Sequence, residues 1–200
     1  MNEGHDGGER WRAFVAVDLP GHVKEALSAL QARMPPMEAR CVRWVRAGGI
    51  HLTLCFLGDV DAGLVPAISE QVSAATAQSG PFTLALADVG AFPSLGRPRV
   101  FWVGLSGETE RLRLLQSRVE GALTRVGYRP ERRPFDPHLT VGRVRREARP
   151  DEARRAGQAF GGLSVPDPAP TFRADSVVLF RSHLGPGGAE YERLFQARLG

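Results

Sequence analysis

The sequence predicts an α+β fold, with helices returning across antiparallel or mixed sheets. Strand-like alternation and helix-like spacing interleave along the chain as strand, helix, strands, helix, strands, helix, strand, helix, strands. Two strand-like stretches repeat one signature, "HLTL" at 51–54 and "HLTV" at 138–141. Two pseudo-symmetric lobes around a central cleft would bring these strands face to face. The 200 residues, 42% apolar and 24% charged, suffice for one full core divided into two lobes at most.

"WRAFVAVDL" (11–19) alternates around aromatic and β-branched residues and reads as a strand stopped by Pro20. Val23, Leu27, Leu30 and Met34 then recur at helical spacing, and "MPPMEAR" breaks that helix. "VRWV" and "IHLTLCFL" are strand-like, closed by a turn at "GDVD". Leu64, Ile68 and Val72 mark a second helix ended by "SGP". "FTLALADVGAF" and "RVFWVGL" are strands joined by a Pro/Gly loop. Leu112, Leu115, Val119 and Leu123 make residues 108–127 an amphipathic helix. "RRPFDPHLTVGRV" repeats the turn-then-histidine-strand shape of the first half. A short helix near 150–160, the loop "VPDPAP", and the strands "FRADSVVLFRS" and "YERLFQARL" follow.

Residues 1–10, polar and glycine-rich, form an expected disordered tail, leaving 11–200 as a single two-lobed domain. That tail lacks the apolar region of a signal peptide, and no run reaches membrane-spanning length. Cys41 and Cys55 are too few for a disulfide framework and not spaced as a metal pair, so a reduced, cytoplasmic setting is expected. The net charge is +4, but between Arg125 and Arg155 ten arginines face five carboxylates. Such a segment suits a phosphate-rich partner, or it merely solvates a surface.

In a strand, residues i and i+2 share a face. His51 and Thr53 therefore share one, with Ile50, Leu52, Leu54 and Phe56 opposite; His138 and Thr140 share another, with Leu139 and Val141 opposite. Strict alternation also puts Cys55 beside His51 as a conceivable nucleophile, although a strand cysteine is more often a small buried apolar residue. One alternative is that both histidines are buried and satisfied by backbone carbonyls. Neither an HExxH nor a CxxC cluster accompanies them, and there is no phosphate-binding glycine loop or GxSxG elbow. His5, His22 and His183 lack the following threonine.

Two histidines without metal ligands suit concerted acid–base work on a phosphodiester. One takes a proton from water and the other protonates the departing alkoxide, because imidazole holds both forms near neutrality. Thr53 and Thr140 can donate to the non-bridging oxygens. Arg143 can add charge-assisted hydrogen bonds. Alternation puts Arg143 on the face away from the histidine, unless Gly142 relaxes the strand.

The stretches "RAFVAVDLP", "RWVRAGGIHLTLCFLGDV", "VGAFPSLGRPRVFWVGL", "RPFDPHLTVGRV" and "LFRSHLGPGGAEYERL", in that order, resemble the two-histidine phosphoesterases. Within them the chain resembles the bacterial and archaeal RNA 2',3'-cyclic phosphodiesterases, also called 2'-5' RNA ligases. The resemblance implies two pseudo-symmetric lobes, each a sheet with helices on its outer side, around a cleft holding both motifs. It implies His51 as proton donor to the leaving oxygen, His138 as the base that activates water, and Thr53 and Thr140 as holders of the phosphate. It further implies a monomer without metal or cofactor, acting on RNA ends that carry a 2',3'-cyclic phosphate, tRNA fragments included. Ligation through a 2'-5' bond is the same reaction reversed. A catalytically idle RNA-binding module using the 125–155 arginines is the alternative of another class.

Overall fold

The computed structural model describes residues 9–131, 133–185 and 188–200. Strand β1 (Arg10–Asp18) buries Ala13, Val15 and Val17 on one face and Phe14 and Ala16 on the other. Pro20 then ends the strand, and its carbonyl accepts the first bonds of helix α1 (Gly21–Ala32), from the amides of Val23 and Lys24. Val23, Leu27 and Leu30 form the buried stripe of α1. The "MPPMEAR" break contains one further turn of helix, α2 (Pro36–Ala39), before strand β2 (Val42–Trp44) and strand β3 (His51–Asp61).

The turn expected at "GDVD" is strand. Arg10, Trp11 and Arg12 pair with Asp61, Val60 and Asp59, and Gly58 takes a positive φ of 70° within the run. Ladder hydrogen bonds from β1 override the local turn preference there. The chain turns only at Asp61, whose carboxylate accepts from the Gly63 amide. The fold also begins earlier than Trp11, because Arg10 is already paired and the Glu9 carbonyl accepts from Ala62. Residues 1–8 of the expected tail lie outside the described residues.

Helix α3 (Val65–Thr76) is followed by the hairpin of β4 (Phe82–Phe92) and β5 (Val100–Gly107), and then by helix α4 (Thr109–Leu123). Strand β6 (His138–Val144), helix α5 (Pro150–Gly161), and strands β7 (Thr171–Ala174), β8 (Ser176–Gly185) and β9 (Gly188–Arg198) complete the order. "FRADSVVLFRS" is not one strand. It divides at Asp175, and β7 joins one sheet while β8 joins the other.

Two sheets result, ordered β3-β1-β8-β9 and β2-β6-β5-β4-β7, and every pairing in them is antiparallel. α3 and α4 pack together and reach β8, β9 and β3, while α5 packs on β4 and α2. One continuous apolar core unites these helices with the inner faces of both sheets. A separate cluster of Phe14, Ala16, Val178 and Phe180, with Tyr191 against it, lies on the opposite face of the first sheet. Each histidine strand thus belongs to a different sheet, and β3 and β6 come into contact with each other. Among the described residues no helix is long and apolar enough to cross a membrane.

Candidate active site

The two histidine strands share a local construction. His51 Nδ1 lies 2.9 Å from the Gly49 carbonyl, and His138 Nδ1 lies 2.7 Å from the Asp136 carbonyl, in each case two residues upstream. A carbonyl can only accept, so Nδ1 carries the hydrogen in both rings and Nε2 is the atom left for chemistry. The backbone carbonyls expected of inert buried histidines are present, yet they satisfy only one nitrogen of each ring. They act as orienters.

Three residues beyond each histidine the ladder slips. Val15 pairs with Cys55 and Ala16 with Thr53, so Leu54 is an extra residue. Phe101 pairs with Gly142 and Trp102 with Thr140, so Val141 is extra as well. A β-bulge lets two consecutive residues face the same way and re-aims those that follow. Leu54 and Cys55 are accordingly both buried, and Phe56 emerges 52% exposed on the face of His51. In the second strand Val141 and Gly142 are buried, and Arg143 emerges on the face of His138 and Thr140.

Two sequence expectations are thereby corrected. Cys55 does not share the face of His51; it sits in the core, where burial pushes its thiol up to about 12, so it is no nucleophile. Phe56 is not on the apolar face. Arg143 does reach the site face, but the slip at Val141 is what turns it. Gly142 has a different duty, since a Cβ there would meet Trp44 at 2.8 Å and Val42 at 2.9 Å.

The first imidazole is walled by aromatic rings. Phe14 stacks on His51 at 4.5 Å, and Tyr191 meets it edge-on at 5.0 Å. This burial pushes the His51 imidazole down to about 4, against the Gly49 carbonyl and the Asp18 carboxylate, which favour the charged form. Asp18, the ladder partner of His51, is itself held by Lys24 at 2.7 Å and by Arg193. On the other strand Phe92 meets His138 edge-on at 4.9 Å. Tyr191 lies within electrostatic reach of both sheets. Burial raises its phenol, while the guanidiniums of Arg143 from the second sheet and Arg12 from the first oppose that rise.

Phe14, Phe92, Asp18 and Tyr191 were absent from the sequence reading of the site. Their only signal was strand alternation, which does not say which strands are neighbours. His183 is an exposed hairpin residue bonded to Glu192, and His22 bonds the Thr171 carbonyl. A cavity of about 300 Å³ lies elsewhere, beside α2 and α5, lined by Cys41, Arg145 and Glu152 among others, and contains neither motif. Among the described residues no three His, Cys, Asp or Glu side chains cluster as metal ligands.

A family profile described as the 2'-5' RNA ligase superfamily matches residues 19–186. The chain belongs to that superfamily. It is 36% identical over 187 residues to the RNA 2',3'-cyclic phosphodiesterase of Archaeoglobus fulgidus, covering 92% of this chain and 97% of that one. It is 34% identical over 179 residues to the protein of the same name from Geobacillus stearothermophilus, 88% of this chain but only 54% of that longer relative. Among solved structures it resembles Escherichia coli LigT complexed with 3'-AMP, at 28% identity and a TM-score of 0.74 over 96% of this chain and 99% of that one. The superfamily match spans both histidine strands and every element between them.

Proposed function

We propose that this enzyme hydrolyses RNA-terminal 2',3'-cyclic phosphates to 2'-phosphomonoesters, using His51 and His138 as acid and base without a metal ion. The observation that carries the reading is the duplicated construction. Two imidazoles occupy equivalent strand positions, each with Nδ1 tethered two residues back, a threonine two residues on and a bulge after it. Binding alone requires no such matched pair. The superfamily relatives named RNA 2',3'-cyclic phosphodiesterase support the substrate class.

In this scheme His138 Nε2 removes a proton from water, whose oxygen attacks phosphorus in line with the 3'-oxygen. The P–O3' bond breaks, and His51 delivers a proton to that oxygen, leaving the phosphate on the 2'-position. Thr53 and Thr140 donate to the non-bridging oxygens as charge builds on them, and Arg143 adds a charged donor. The burial of His51 favours a second reading with the roles exchanged, because a buried neutral imidazole is already in the form of a base.

The deciding experiment incubates a short RNA ending in a 2',3'-cyclic phosphate with the protein in excess EDTA. Mass spectrometry should show the gain of one water, and phosphorus NMR a 2'-phosphate. Turnover that disappears in EDTA and returns with zinc or magnesium defeats the metal-free scheme. A 3'-phosphate product defeats the regiochemistry.

Arg143→Ala should cost roughly 1.5–3 kcal/mol in kcat/KM, the loss of a charged hydrogen bond. A value within twofold of the parent protein rejects its role at the phosphate.

A further inference from the structure

We propose a second phosphate site on the edge strand β2, built on Arg43, which holds the phosphodiester one nucleotide upstream of the reacting terminus. The proposal rests on the reading of the site given above. In the register of β2 with β6, Arg43 lies directly opposite Arg143. Like charges directly opposite one another destabilise a sheet, and an anion seated between them offsets that cost. Among the described residues neither guanidinium has a carboxylate within ion-pair distance.

The face is settled by packing. Val42 is buried and Trp44 packs against Phe101 and Phe160, so both neighbours of Arg43 point into the core and Arg43 points the opposite way. That is the face carrying His138, Thr140 and Arg143. Because β2 is the outermost strand of its sheet, Arg43 stands one strand farther from the histidines than Arg143 does. Thr140 and Arg143 lie at most roughly 10 Å apart along the strand. A chain whose terminal phosphate sits between the histidines and Arg143 therefore carries its next phosphate toward Arg43. The inferred ligand is an oligoribonucleotide, not a mononucleotide, and Arg43 is a determinant of that preference. An edge arginine could alternatively serve only to discourage strand pairing with another molecule. That role predicts no dependence on substrate length.

The test compares the parent protein with Arg43→Gln on two substrates, a nucleoside 2',3'-cyclic phosphate and a trinucleotide ending in the same group. On the trinucleotide kcat/KM should fall about 10- to 100-fold, chiefly through KM, which is the range for one charged hydrogen bond. The mononucleotide has no second phosphate and should change less than twofold. Arg43→Lys should recover part of the loss, and the slope of log(kcat/KM) against log salt should flatten by about 0.7 on the trinucleotide. Equal losses on both substrates, or none on the trinucleotide, overturn the proposal. Fluorescence anisotropy with a labelled trinucleotide 2'-phosphate, against its mononucleotide counterpart, repeats the comparison without turnover. Absent hydrolysis with a length-dependent binding loss would remove the proposed reaction and leave the second phosphate site standing. Length-independent binding would remove the site alone.

Discussion

Replacing either histidine by alanine should lower kcat/KM on a cyclic-phosphate RNA by about 10²- to 10⁴-fold, the usual contribution of one positioned acid or base. Both imidazoles are fixed by the backbone, through Gly49 and Asp136, so neither can swing across to replace the other. The double variant should be little worse than the poorer single variant, because residues that act as a unit are not additive. The two single variants should separate on leaving group. A nucleoside ester of p-nitrophenol needs no protonated departing oxygen, so it should partly rescue His51→Ala and rescue His138→Ala less. Rescue of His138→Ala instead would exchange the roles and keep the mechanism. Either variant retaining more than a tenth of parental activity on the RNA would remove that histidine from the chemistry.

The motifs themselves were legible because strand alternation is reliable over two residues, and two residues is the spacing from histidine to threonine. Beyond the threonine it failed in both halves for one reason. Leu54 and Val141 are the extra residues of bulges, and neither is a glycine or any other type that announces one. Cys55, Phe56 and Arg143 were consequently assigned to the wrong faces by strict counting. The element order was legible from periodicity, but the pairing was not. Tyr191 meets His51 only because β1, β8 and β9 follow β3 across one sheet in that order, a tertiary fact with no local signal. The division of "FRADSVVLFRS" at Asp175 is similar. No glycine or proline marks the break, so its strand-forming residues run on while the chain passes from one sheet to the other.

The pH dependence should differ sharply between kcat/KM and kcat, and the cause is the aromatic wall around His51. Burial holds its imidazole at about 4 in the free protein, so at pH 7 about one molecule in a thousand carries the proton an acid must deliver. A cyclic phosphodiester brings one negative charge. At about 4 Å and an effective dielectric near 20, that charge is worth about 4 kcal/mol to the imidazolium, enough to return His51 to the neighbourhood of neutrality. In the proposed scheme the substrate thus loads its own acid. With His51 as the acid, the protonated fraction that kcat/KM draws on in the free enzyme falls tenfold per pH unit above about 4, while the fraction that kcat draws on in the complex holds until near 7; the neutral fraction of the base multiplies both. His51→Ala should abolish both basic limbs. If His51 is instead the base, it must be neutral, as it is above about 4 in the free protein, and His51→Ala should erase the acidic limb rather than the basic one. The limbs belong to the coupled pair, so the variants and not the parent curve alone make the assignment. Profiles of kcat and kcat/KM that coincide across pH 4–8 would show that the bound phosphate does not act on His51, and that the acid lies elsewhere.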